Sequence, residues 1–131
     1  MPEQLPQAAP ATFERTDDFT EAYANNVRFE STVLDLKMVF GQSDQKSGRE
    51  VVEQHTAITL PWPLVKTVIY FLALNVIGQE SQNGPITIPP IHIPPPIALP
   101  TDEERKQLVN VDALHERLKV FRDVFLSGKF V

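Results

Sequence analysis

Cysteine is missing from the chain, which removes thiolate catalysis, disulfide stapling and cysteine-ligated metal sites together. Glycine is scarce, five in 131 residues, and none of the five opens a phosphate loop, a dinucleotide fingerprint or a nucleophile elbow. Long runs of basic residues are missing too. Lys and Arg are scattered, with Arg105-Lys106 the one adjacent pair, in a chain of formal charge −5. A nucleic-acid surface gathers cations against phosphate, so this distribution argues against such a partner. Only folding could gather a patch, from Arg28, Lys37, Lys46 and Arg49. Long apolar runs are absent as well: Leu64 to Ile77 is interrupted by Lys66, Thr67 and Asn75. That stretch is shorter than the roughly 20 residues of a membrane span. The N-terminus has neither the basic start nor the apolar core of a signal peptide. The expected compartment is the cytoplasm, without a membrane partner.

Proline, by contrast, is plentiful and clustered, and it divides the chain. Pro2, Pro6 and Pro10 mark residues 1–20 as a polar tail without sustained periodicity, containing Phe13 and Phe19. Seven more prolines lie between Pro85 and Pro100. Between the two clusters, residues 21–84 read as a β-β-β-α module. Tyr23, Asn25, Val27 and Phe29 alternate with polar neighbours, as a half-buried strand requires. Leu34, Leu36, Met38 and Phe40 form a second alternation. Gly41 to Gly48 is polar and bounded by glycines, the composition of a hairpin loop. A third strand is expected from Arg49 to Leu60, with Val52, Thr56, Ile58 and Leu60 on one face and Glu53, His55 and Thr59 on the other. Three such strands make an antiparallel meander with one face to cover.

A packing helix is expected to supply that cover. Pro61-Trp62-Pro63 ends the strand and fixes a first helical turn; the helix then runs from about Leu64 to Gln79, and Gly84 closes the segment. Its apolar residues, from Leu64 and Val65 to Val76 and Ile77, point nearly all round. One sheet face buries only one stripe of a helix, so a second stripe needs cover. Leaving four such side chains wet forgoes on the order of 6–12 kcal/mol. Either the C-terminal helix or a second copy could cover them, and the small size of the module favours a homodimer or higher homo-oligomer.

Residues 85–100 are expected to take an extended, polyproline-like path, because so many prolines forbid a helix or a central strand. The prolines lack the spacing that PxxP-reading domains require. Ile86, Ile88, Ile91, Ile93 and Ile97 make this arm too apolar for an exposed linker and point to a groove, on this chain or a neighbour. Residues 101–131 form a C-terminal helical element. Thr101 and Glu104 make a capping box, Asn110 and Asp112 threaten the helix midway, and Leu114, Leu118, Phe121 and Phe125 form a stripe. Gly128 is the terminator, with Phe130 and Val131 after it. The whole reads as an α+β chain: meander, packing helix, proline-rich arm and C-terminal helix.

The stretch Tyr23-Ala24-Asn25-Asn26-Val27-Arg28-Phe29-Glu30, with Leu34-Asp35-Leu36 and Phe40-Gly41, resembles a small bacterial family known as domain of unknown function 3467. His55, Thr56, Ile58 and Pro61 stand where that family carries its strand-to-helix junction. The resemblance covers residues 22–84; it implies the strand order and the proline-initiated helix, and no activity. Tyr23 with Val27-Arg28-Phe29-Glu30 is also similar to the first strand of SecB-type export chaperones, which are acidic sheet-and-helix oligomers.

Residues that could carry chemistry have structural explanations. His55, His92 and His115 lack metal-site spacing. Asp17-Asp18 lies in the tail, Glu103-Glu104 caps a helix, and Glu30 with Asp35 suits cross-strand pairing with Arg28 and Lys37. Asn25 on an apolar face suits a backbone bond at a bulge or subunit contact, with ligand recognition as the alternative. No catalytic, cofactor or metal residue is assigned, and no cofactor is expected. Partner contact is expected at Trp62, at Val65, Ile69 and Leu72 on the first helix, at Ile86, Ile88, Ile91 and Ile93, and at Leu118, Phe121 and Phe125. The resulting expectation is a non-enzymatic, homo-oligomeric interaction or adaptor module that could also bind another protein. A SecB-like holdase for apolar segments and a nucleic-acid binder are the competing readings.

Overall fold

The computed structural model describes residues 9–46 and 48–128. Pro2, Pro6 and the apolar end Phe130-Val131 lie outside the described residues. The fold is α+β, a three-stranded antiparallel sheet followed by helices. The chain divides into two compact units, Met1–Trp62 and Pro63–Val131.

In the first unit, residues 9–20 contain a turn and neither helix nor strand; the Arg15 guanidinium sits 4.5 Å from the centre of the Phe19 ring. The sheet is β1 (Asn26–Ser31), β2 (Asp35–Lys46) and β3 (Arg49–Pro61), in the order β1-β2-β3. Register aligns Val27 with Phe40, and Phe29 with Met38, which in turn faces Ile58. Side chains alternate along a strand, so Val27, Phe29, Leu36, Met38, Phe40, Ile58 and Leu60 share one face. On the other face Lys37 Nζ lies 3.6 Å from the carboxylate of its cross-strand partner Glu30, the pairing expected from sequence.

β1 starts at Asn26, so Tyr23 and Asn25, read from the sequence as part of this strand, precede it. Three further features differ from the sequence reading. Leu34 belongs to the β1–β2 turn, where the Thr32 hydroxyl accepts from the N–H groups of Leu34 and Asp35. The expected hairpin loop at 41–48 is mostly ladder: Gly41 to Lys46 continue β2, and Gly48, at φ 74°, holds the turn. Backbone pairing does not need apolar alternation, so a polar hairpin end leaves no periodic trace. The third difference concerns faces. The register slips between Phe40 and Gly41, leaving His55 as the extra residue of a β-bulge between Gln54 and Thr56. Beyond the bulge the parity reverses, so Val52 does not share the face of Thr56, Ile58 and Leu60.

The second unit starts within α1 (Trp62–Asn83), longer at both ends than expected. Gly84 ends it at φ 87°, its N–H bonded to the Glu80 carbonyl. Residues 85–100 contain no strand, and their path is not wholly extended: Pro90–His92 forms a 3-10 turn. Then come α2 (Asp102–Gln107) and α3 (Val111–Leu126). The Thr101 hydroxyl accepts from Glu104 N–H at 3.1 Å, the cap expected from the sequence. Asn110, at φ 60°, divides the two helices. Thr101→Ala is expected to cost about 1 kcal/mol, seen as a lower thermal midpoint by far-ultraviolet circular dichroism. An unchanged midpoint would mean that the cap contributes nothing.

Candidate functional site

The first candidate surface is α1 itself. Val65, Ile69 and Leu72 follow i, i+4, i+7 spacing and share one face, with Ile69 and Leu72 52% and 60% exposed. Leu64, Phe71, Leu74 and Ile77 on other faces are exposed as well. No α1 residue is buried, and among the described residues Val111 carries the one buried hydrophobic side chain. By length and composition α1 could also cross a membrane. That revises the short stretch read from the sequence, because the helix runs on to Asn83. Its charge-free part, Thr67 to Gln79, rises about 20 Å, less than the ~30 Å of a hydrocarbon core.

The second candidate is a groove of about 500 Å³ in the second unit. Its walls are Val76 and Glu80 of α1, Ile86, Ile88 and Ile93 of the proline-rich segment, and Phe125 and Leu126 of α3. One Glu80 carboxylate oxygen accepts from Ile86 N–H at 2.9 Å, fixing the chain as it leaves α1. Phe125 stacks on Phe121 with ring centres 6.4 Å apart. Arg122 closes the construction: Nε donates to the Pro94 and Pro95 carbonyls at 3.2 and 3.0 Å, and Nη2 to Pro94 at 2.8 Å.

Of the residues expected to meet a partner, the groove brings together Ile86, Ile88, Ile93 and Phe125. Leu118 lines a separate cavity of about 80 Å³ with Ile97 and His115. Ile91 is 86% exposed and lines neither. Trp62 is 38% exposed, and its indole N–H donates to the Thr32 carbonyl at 3.0 Å. No family model, curated protein or solved structure matches this chain. The surfaces must be judged by their own chemistry.

That chemistry is apolar contact. Among the described residues no three metal-ligating side chains converge. His55 Nε2 lies 2.9 Å from the Tyr23 carbonyl, which can only accept, so Nε2 carries the proton. Its Nδ1 lies 2.7 Å from the Thr56 hydroxyl. Both ring nitrogens are engaged in holding the bulge against the chain entering β1. Asn25 acts likewise. Its side-chain oxygen accepts from Ser43 N–H at 2.6 Å and its amide donates to the Ser43 carbonyl at 3.4 Å, the backbone bonding expected for it. In the tail, the Thr16 hydroxyl beside Asp18, with a backbone hydrogen bond, holds that carboxyl below its usual range.

Arg122 and Glu80 were not singled out from the sequence, although both left a signal. Proline removes a donor and keeps its carbonyl, so a proline-rich segment has acceptors in excess and needs donors from elsewhere. A carboxylate near a helix C-terminus opposes the helix dipole and so points to a partner of its own. Arg122→Met keeps the aliphatic stem and removes all three bonds. It is expected to destabilise the second unit by about 1.5 kcal/mol, the low end for charged donors because the site is half-exposed. Faster proteolysis within residues 85–100 would report it; unchanged cleavage would show that these bonds do not hold the segment.

Proposed function

We propose that the protein is a non-enzymatic, cytoplasmic assembly module that associates with further copies of itself. The observation carrying this reading is α1, apolar all round and without a buried residue. At about 1.5–3 kcal/mol for each large side chain taken out of water, covering even one of its faces outweighs much of the cost of association. A second copy is the partner always present at matching concentration, and closed symmetric self-association is the commonest solution to such a surface. The likeness to domain of unknown function 3467 forms part of this proposal and adds no activity to it.

A second reading is favoured by the apolar groove beside Ile86 and Phe125: a SecB-like holdase, taking apolar side chains of unfolded proteins into that groove. Light scattering on the full chain across a concentration series tests the main reading. A mass of two or more chains of 14.8 kDa is expected at micromolar concentration. A mass of one chain, together with suppressed aggregation of an unfolding client protein, would replace assembly with the holdase reading.

A further inference from the structure

We infer that two copies join along β3, edge to edge and antiparallel about a twofold axis at Ile58, giving one six-stranded sheet. The inference rests on the reading of the protein as a self-associating module and names a second surface for that association, besides α1. A three-stranded sheet has two edges, and here they are unequal. β1 is six residues long and carries Arg28 and Glu30, the short and charged form that blunts an edge. β3 is 13 residues long, and from Gln54 to Leu60 it carries no Asp, Glu, Lys, Arg or proline. The bulge at His55 interrupts the ladder, so the regular, uncharged part begins at Thr56. Such an edge accepts only another strand, because its free groups are backbone donors and acceptors.

The occupant follows from charge and register. In a chain of charge −5, two copies repel over most of their surface, and Thr56–Leu60 offers a meeting line where no like charges face each other. Centring the pair on Ile58 puts Ile58 opposite its counterpart, Thr56 opposite Leu60 and Ala57 opposite Thr59. Each residue then stays on its own face. The row Phe29–Met38–Ile58 continues into Ile58–Met38–Phe29 of the second copy, making the apolar face continuous across six strands. Ile58, 45% exposed in one chain, becomes the middle of that row.

The absence of cysteine makes the test clean. Residues paired across an antiparallel ladder have Cα atoms about 4.5–5.5 Å apart, within disulfide range. Full-length Ile58→Cys under mild oxidation is therefore expected to run mostly as a covalent dimer, whereas Val27→Cys, on the same face at the β1 edge, remains a single chain. A charge pair checks the register independently of any effect of the cysteine on folding. Ala57→Glu with Thr59→Glu places like charges opposite each other twice and is expected to weaken association about ten-fold. Ala57→Lys with the same Thr59→Glu places opposite charges there and restores it; in both variants the carboxylate introduced at position 59 also sits beside Lys37 of its own chain. If the unmodified protein assembles but Ile58→Cys does not cross-link and the two charge variants associate equally, the β3 edge is overturned and self-association stands. If the unmodified protein is a monomer, both fall.

Discussion

Ile69→Glu combined with Leu72→Glu is expected to lower the solution mass of the assembly at least two-fold. Both positions are exposed on one face of α1, so the unassembled chain should tolerate them. Losing two large apolar contacts removes roughly 3–6 kcal/mol of burial on association. That corresponds to a ~10²–10⁴-fold weaker association constant, enough to move a micromolar equilibrium into the millimolar range. Two buried carboxylates would add desolvation on top. Sedimentation velocity checks the outcome, with far-ultraviolet circular dichroism to show that helix content is kept. A double variant of unchanged mass would mean that this face of α1 is not an interface.

Gly41→Ala is expected to destabilise the first unit by about 1–3 kcal/mol, the range for forcing an added methyl into a packed site. A Cβ at this position would lie 2.6 Å from the Glu53 carbonyl oxygen, 3.1 Å from the Gln54 Cα and 3.0 Å from a Val52 methyl. Two of these are backbone atoms, which cannot rotate away as a flexible side chain would. The crowding arises from the bulge, since the extra residue at His55 brings β3 in beside Gly41. Unfolding by urea, followed through the single tryptophan, reads the effect directly. The Trp62 indole is bonded to the Thr32 carbonyl, so its fluorescence reports on the sheet unit. An unchanged midpoint would contradict the close approach at the bulge.

Local rules were the legible part of this chain. Thr101 caps α2, Asn110 divides α2 from α3, and Gly84 and Gly128 adopt the positive φ at which helices end; each depends on neighbours within a few residues. The alternation of Val27 and Phe29, and of Leu36, Met38 and Phe40, was legible because side chains that share one face of a strand recur at period two. Gly41 to Lys46 were illegible for the converse reason: this end of β2 has no large apolar residue to set a period, although its backbone pairs with β3 throughout. The bulge was hidden as well. His55 fits a strand pattern of either parity, and its function depends on Tyr23, more than thirty residues away. The groove depends on still longer range. Ile86, Ile88, Ile93 and Phe125 could be marked as apolar residues in need of cover, but their convergence with Val76 requires the path of the proline-rich segment, which Arg122 holds at Pro94 and Pro95.

The proposal that another copy of the chain covers α1 can be read from the reactivity of a thiol placed on the helix. In a chain without cysteine, Ile69→Cys gives one label site on an exposed face of the helix. Maleimide labelling should be fast at nanomolar protein, where single chains prevail. At tens of micromolar it should slow at least ten-fold, and return to the fast rate in urea. Equal, fast labelling at both concentrations would mean that α1 stands open in solution with no copy covering it, and self-association through this helix would be ruled out.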